Sequence, residues 1–419
     1  MNLSSPTEGL APVRIGVIGT GQRLRVVIGE LLKQDAGLEV TAVFDPDDVA
    51  RATFCAALAP AAKACSSVEE LCDRQDVDWV FIGSFNCEHA AQTVTAFNAG
   101  KHVFCEKPLA LSLGEAETMR EAWEESGRIF AFGLVLRYSP LYRKARKLIG
   151  DGEIGRLLSF EFNETLSFNH GGYIHGNWRR HRALAGTHLL EKCCHDMDLA
   201  LWLTDDLPVR VASFGGCSFF TPENAHHAGR LGTSPEGRPA YRAWADPHGV
   251  DPFDSDKSIV DHQVAILEFS SDVRATFHTQ CQAGIPERRF YFCGTEGSLR
   301  LDAYTGRLEL KRIGWDEPVI THQPRQGSSH AGGDEQMALE LAEVMRGHRK
   351  PVTGLLDGVR SLVVVNAIDE AMDMGVVVNL QSRWHEIASA FDDPKASAIG
   401  LGTSPESRNK PAAKVTGVA

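Results

Sequence analysis

Residues 13–21 read Val13-Arg-Ile-Gly16-Val-Ile18-Gly19-Thr20-Gly21, and their reading decides the fold. A short apolar run ending at glycines has the character of a buried parallel strand. Glycines directly after it let the backbone turn tightly into a helix and come close to a pyrophosphate at the helix N-terminus. Helical spacing follows over residues 22–33, then a second β-rich run over 38–44 that ends in Asp45. The third position of this glycine fingerprint holds Leu24, where Gly or Ala is usual. Asp45 lies roughly two dozen residues beyond Gly21, where a carboxylate accepts both ribose hydroxyls and repels a 2′-phosphate. Capping the next helix is the other reading of Asp45. Gly19, Thr20, Gly21, Gln22, Arg23 and Asp45 are therefore candidate nucleotide-binding residues, with NAD expected over NADP.

Outward from this stretch, residues 78–82 (DWVFI), 102–104 (HVF) and 128–132 (RIFAF) supply further strands, and 86–98 and 113–125 supply helices. Such alternation predicts a doubly wound parallel sheet with right-handed crossovers, a Rossmann domain over 13–137 preceded by a flexible segment, 1–12. The texture changes after Pro140. A helix at 143–149, an alternating strand at 156–165 and a helix at 187–203 precede a region dominated by strands. Residues 266–269 and 273–280 read as a hairpin about Ser270-Ser271-Asp272. The expectation for 138–383 is an α+β domain: an open, mainly antiparallel sheet with helices on one face. Residues 219–259 are rich in Gly, Pro, His and Asp and read as more loop than element. Helices are expected at 332–345 and 358–375. The segment 384–419 reads as a tail, loosely held from Asp393 onward.

The chain has 419 residues, 43% hydrophobic and 23% charged, with a net charge of -12. That length suits two domains of ordinary size. The acidic balance excludes a general nucleic-acid binder and disfavours an anionic membrane surface. No run of about 18 apolar residues appears, so no spanning helix is expected. Residues 1–12 lack a basic n-region and a long apolar run, and the ten cysteines are scattered, so reduced thiols in a cytoplasm are expected.

Three segments carry candidate chemistry: Ser84-Phe-Asn86-Cys-Glu-His89, Cys105-Glu106-Lys107-Pro108 and Glu191-Lys-Cys-Cys-His195-Asp-Met-Asp198. Lys107 follows a strand at the carboxyl edge, where α/β sheets bind ligands, and Pro108 restrains it to extended geometry. Glu191, His195, Asp198 and Trp202 are spaced i, i+4, i+7 and i+11 on one helix otherwise largely apolar, so they share a face. Buried charge needs partners, and histidine can move a hydroxyl proton near neutral pH. A helix-packing salt bridge is the alternative for this stripe. Asn86 also reads as a helix N-cap, and Arg179 as half of an exposed pair with Arg180. His226, His227, His248 and His262 match no helical or strand ligand spacing, and no metal is expected.

Together with Arg137-Tyr-Ser-Pro140, Gly152-Glu-Ile-Gly155, Trp178-Arg179, Gly294-Thr-Glu-Gly297 and His330-Ala-Gly-Gly-Asp334, these motifs resemble the Gfo/Idh/MocA oxidoreductase superfamily, in order and spacing, from Val13 to about Leu380. The resemblance implies NAD-dependent oxidation of a sugar or polyol hydroxyl. It implies that Lys107 hydrogen-bonds the reacting oxygen, that His195 is the acid/base and that Glu106 holds the nicotinamide-side ribose. Ser84, Asn86, His89 and Arg137 would lie on the nucleotide side, while Trp178 and Arg179 line the substrate pocket. Glu191 stands where the family usually has Asp, and Cys193 where it has Gly. A redox-neutral enzyme that retains NAD is one rival, and a non-catalytic dinucleotide sensor is the other. A homodimer or homotetramer through the open sheet face is expected, because residues 264–269 and 273–279 place apolar side chains on both faces. The alternative is a monomer whose insertion folds over that face. The nucleotide assignment is checked by calorimetric titration with both dinucleotides: NAD is expected to bind more tightly than NADP, and replacing Asp45 with Ala to narrow the gap.

Overall fold

The computed structural model describes residues 11–324 and 330–399. Six strands form the first sheet: β1 (Val13–Ile18), β2 (Leu38–Phe44), β3 (Lys63–Ala64), β4 (Trp79–Ile82), β5 (His102–Cys105) and β6 (Phe130–Phe132). Their order is β3-β2-β1-β4-β5-β6, every pair parallel. Helices α1 (Gln22–Gln34), α2 (Asp48–Leu58), α3 (Val68–Cys72), α4 (His89–Asn98) and α5 (Leu113–Ser126) connect them. This is the expected doubly wound sheet, with its order reversing beside β1, where such sheets open a ligand crevice. The central strands are apolar on both faces because helices cover both. Ile15, Val17, Val80, Phe81 and Val103 are fully buried.

The second domain begins with α6 (Pro140–Gly150), β7 (Leu157–Ser167), α7 (Phe168–Gly176), α8 (Arg182–Ala185) and α9 (His188–Thr204). Strands β8 (Pro208–Gly216), β9 (His262–Phe269), β10 (Arg274–Ala283), β11 (Arg289–Gly294), β12 (Gly297–Asp302), β13 (Arg307–Arg312), β14 (Ile320–His322) and β15 (Val378–Asn379) complete its sheet. The order is β14-β13-β12-β11-β7-β10-β9-β8-β15, antiparallel except for the parallel pair β7–β10. The hairpin about Ser270–Asp272 forms as expected, with Asp272 at φ 72°. One face packs on α9 and on the late helix α12 (Leu355–Met374). On the other face Phe214, Val264 and Ile266 are 71%, 46% and 57% exposed, and Phe214 and Val264 are register partners.

The insertion over residues 219–259 does not cover that face. It folds into a short helix α10 (His226–Leu231) and irregular chain, and buries Phe220, Tyr241, Phe253 and Ile259 with Leu166, Ile174 and Cys281. The chain then returns to the Rossmann domain. Helix α11 (Gly333–Met345) lies against α1, and Arg346 beyond it donates to Asp35 at 2.6 Å.

One expectation fails. The segment from 384 is not a loose tail as far as residue 399: α13 (Gln381–Phe391) and α14 (Pro394–Ser397) pack on the core. Trp384 is fully buried and its indole N–H donates to Pro208 O at 2.6 Å, while buried Asp393 pairs with Arg360. The polar composition of the segment concealed a few apolar anchors, Trp384, Ile387, Ala396 and Ile399. Residues 400–419, also assigned to the tail, lie outside the described residues. Trp384→Ala is expected to destabilise the fold by about 3–5 kcal/mol, read as a lowered denaturation midpoint in urea.

Candidate functional site

The nucleotide side is built around the β1–α1 turn. Gly19 has φ +83°, and a Cβ there would sit 2.6 Å from Ser84 N, so the close approach of the two loops requires glycine. Helix α1 starts after Gly21 with no side-chain cap and no acidic residue in its first turn, and a Cβ on Gly21 would meet nothing within 4 Å. An uncapped, unobstructed helix start of this kind fits a pyrophosphate. The bulky Leu24 is accommodated by its neighbour: it is fully buried, and a Cβ on Gly83 would lie 2.5 Å from Leu24 Cγ. Small-residue packing at this crossing has moved from the helix to the opposite loop.

Asp45 does not cap the next helix; Asp47 does, accepting from the N–H groups of Val49 and Ala50. Asp45 instead accepts from the backbone N–H and hydroxyl of Thr20, at 2.6 and 2.7 Å, and from Asp47 N at 2.9 Å. These bonds fix a carboxylate against the glycine turn, at the end of β2. Ser84 donates to Gln92 at 2.7 Å. Asn86 is not an N-cap either: its amide donates to Ala185 O at 2.8 Å, tying the loop after β4 to the second domain. His89 is buried and bonds Pro108 O through Nδ1 at 2.7 Å, and burial holds its pKa below the ordinary value. The Lys107–Pro108 peptide is cis. Buried Glu106 accepts from Arg23 at 2.8 Å, and Arg23 also meets Asp334 at 2.5 Å.

The substrate side centres on α9, whose N-terminus is capped by Thr187. Lys107 donates to the carbonyl of Glu191 and lies 3.5 Å from its carboxylate. Arg179 donates to the same carboxylate at 2.9 Å and lies over the Trp178 ring at 4.4 Å. Arg179 is thus not part of an exposed pair; Arg180 pairs separately with Asp256. Burial raises the pKa of Glu191, but Lys107 and Arg179 outweigh it and hold the carboxyl well below the usual carboxylate range. His195, one turn further along, is buried and its Nδ1 has no hydrogen-bond partner. Burial, reinforced by Lys107, Arg288 and His330, keeps its pKa well below 6.5, so the ring is neutral. Trp178 stacks on Phe85 of the Rossmann domain at 4.3 Å, closing one wall across the domain junction. The arrangement can polarise an alcohol or carbonyl oxygen and exchange its proton.

Two expectations do not meet at this site. Arg137 donates to Asp198 through two nitrogens, at 2.8 and 2.5 Å, and to Asp357 at 2.8 Å, so its buried guanidinium is fully engaged in the core. Asp198 and Trp202 share the face of Glu191 and His195 but lie about 4.5 and about 10 Å beyond His195 at about 1.5 Å per residue, where Asp198 is taken up by Arg137 and Trp202 lies under Arg137 and Arg146. Conversely, sequence reading gave no role to His330 and Asp334, which pair at 2.7 Å with the His330 ring 6.2 Å from that of His195. It also missed Lys192, His170, Tyr173 and Trp244, which line the same region. His330 and Asp334 stood in a recognised motif; an aromatic in an irregular insertion, such as Trp244, carries no periodic signal. Of the loop histidines, His226 bonds Glu223 O and His262 pairs with Asp261.

Residues 13–134 match the model of the oxidoreductase family with an NAD-binding Rossmann fold, and residues 142–300 match the GFO/IDH/MocA C-terminal domain. The chain is 27% identical to 2,7-anhydro-N-acetylneuraminate hydratase of Mediterraneibacter gnavus, over 75% of this chain and 74% of that protein. It is 28% identical to 1,5-anhydro-D-fructose reductase of Ensifer adhaerens, covering 76% and 85%. The fold is similar to that of levoglucosan dehydrogenase in complex with NADH and levoglucosan, with TM-score 0.73 and 18% identity over 88% and 99%.

Proposed function

Because the chain belongs to the Gfo/Idh/MocA oxidoreductase family and binds NAD through its first domain, we propose that it interconverts a secondary alcohol and a ketone on a cyclic sugar or polyol. The observation that carries this reading is a neutral His195 on α9, its Nδ1 without a partner, one turn from Glu191, whose carbonyl is bonded by Lys107 from the carboxyl edge of the nucleotide-binding sheet. Gly19–Gly21, Asp45, Ser84 and Glu106 would hold NAD, which supplies the hydride acceptor. The Lys107 ammonium has three donors, of which Glu191 uses part, and the remainder can hydrogen-bond the reacting oxygen. His195 takes the hydroxyl proton as the C–H bond breaks and the C=O bond forms. Glu191 holds Lys107 and Arg179 in place, and Trp178, stacked on Phe85 and covered by the Arg179 guanidinium, braces the pocket wall. Asp45 favours NAD over NADP.

A redox-neutral reading has one observation behind it: a relative of this chain is named a hydratase. The two separate on whether NADH accumulates during turnover.

The exposed outer sheet face around Phe214, Val264 and Ile266 supports assembly into a closed homo-oligomer, since the insertion leaves that face open.

Lys107→Met and His195→Ala are each expected to lower turnover by about 10²–10⁴-fold with the far-ultraviolet circular dichroism unchanged; near-normal turnover in either variant removes that residue from the mechanism. The acid limb of kcat/KM against pH is expected below 6.5, because His195 must be neutral to accept a proton and its surroundings resist protonation. A limb at or above 6.5 would contradict the assignment of His195 as base. Light scattering at micromolar concentration is expected to give a mass of a dimer or tetramer rather than 45.8 kDa.

A further inference from the structure

The substrate side of the cleft is lined by more cations than its chemistry uses. Glu191 and Lys192 follow one another on α9, and His188, Glu191, Lys192 and His195 fall at i, i+3, i+4 and i+7, on one helix face. Lys192 lies 3.3 Å from Glu164 on β7, and Glu164 is shared with Arg288 at 3.0 Å, which also pairs with Asp196 at 2.7 Å. With the Lys107–Glu191–Arg179 set beside it, four cations meet three carboxylates directly, and Asp246 of the insertion reaches Arg179 only through Asn177.

The layering matters as much as the count. The side chains of Glu191, Glu164 and Asp196 are 9%, 1% and 0% exposed, whereas those of Lys107, Lys192 and Arg179 retain 16%, 18% and 25%. The carboxylates lie behind together with Arg288, 7% exposed, while Lys107, Lys192 and Arg179 stand in front. Lys192 follows Glu191 directly and precedes His195 by three residues on α9, with 18% of its side chain exposed, which places its charge beside the cleft. The insertion's Asp246 is turned to Asn177 and the backbone of His248. On the nucleotide side Arg23 meets both Glu106 and Asp334, and Asp334 also pairs with His330. Partly exposed ammonium and guanidinium groups in front of buried carboxylates keep N–H donors free for a ligand anion to accept from.

The geometry points to a substrate that carries a carboxylate, received by Lys192 while the reacting hydroxyl lies at Lys107 and His195. This rests on the alcohol-oxidation reading above and narrows it to sugar acids, such as uronates or aldonates, over neutral sugars. Lys192 has no part in moving the hydroxyl proton; its role is specificity.

The test uses the full-length enzyme with matched pairs: D-glucose against D-glucuronate, D-galactose against D-galacturonate, and D-mannitol against D-mannonate. Binding to the enzyme–NADH complex is measured by titration calorimetry, and oxidation by NADH absorbance with NAD present. The acid of at least one pair is expected to bind about ten- to a hundredfold more tightly than its neutral partner, the range of a charged hydrogen bond. Lys192→Met is expected to erase that preference and Lys192→Arg to retain it, with folding checked by circular dichroism. Neutral partners that bind as well as the acids, no binding by any acid, or a preference that survives Lys192→Met overturns the inference. Should Lys192→Met fail to fold, the wild-type preference and the Lys192→Arg variant still decide. Acids that bind preferentially yet yield no NADH leave this inference standing and sink the alcohol-oxidation reading. NADH formed from both members at equal kcat/KM does the reverse.

Discussion

The Glu191 carboxylate is held between Lys107 of the Rossmann domain and Arg179 of the second, and a buried charge so placed is stable only while both partners stay within reach. The consequence is geometric. Lys107 follows β5, Arg179 precedes α8, and Glu191 lies in the first turn of α9, so one carboxylate sets the distance between the two domains at the cleft. His195 is one turn along the same helix, where burial first and the Lys107 charge second keep that imidazole neutral. Removing the carboxylate would leave two cations facing a desolvated pocket. Position and protonation state at this site therefore share one charge, that of Lys107.

Neighbouring contacts reinforce that junction in different ways. Asn86 donates to Ala185 O, and Phe85 stacks on Trp178, so the loop after β4 is bound to the second domain by both a polar and an aromatic contact. On the far side of the nucleotide turn, Arg23 reaches Asp334 of α11, which has come back from the second half of the chain to pack on α1. The glycine turn is thus enclosed by residues distant in sequence, and the cleft belongs to both halves of the molecule.

The second sheet has to do two things. Its inner face buries apolar residues such as Ala265, Leu267, Ala275 and Phe277 against helices, while the outer face keeps Val264 and Ile266 in solvent. The strict alternation along β9 and β10 separates these roles residue by residue. The insertion between β8 and β9 makes its own small core against α7 and adds Trp244 beside Tyr173 and His170, so that it shapes the pocket wall.

Local sequence was enough to determine the Rossmann half, the strand and helix character of most of the second, and the positions of Lys107, Glu191 and His195. Periodicity, glycine placement and short motifs are properties of neighbouring residues, and they survive without a partner in view. What tertiary structure alone decided are the pairings. Leu24 fits because Gly83 faces it, Asp45 turns to Thr20 while Asp47 caps the helix, and Arg137 is drawn into the core by Asp198 and Asp357. The same holds for Trp384, whose burial no local pattern announced. A charged or bulky side chain has several possible partners along the chain, and only the packed fold brings one of them close enough, and dry enough, to be chosen.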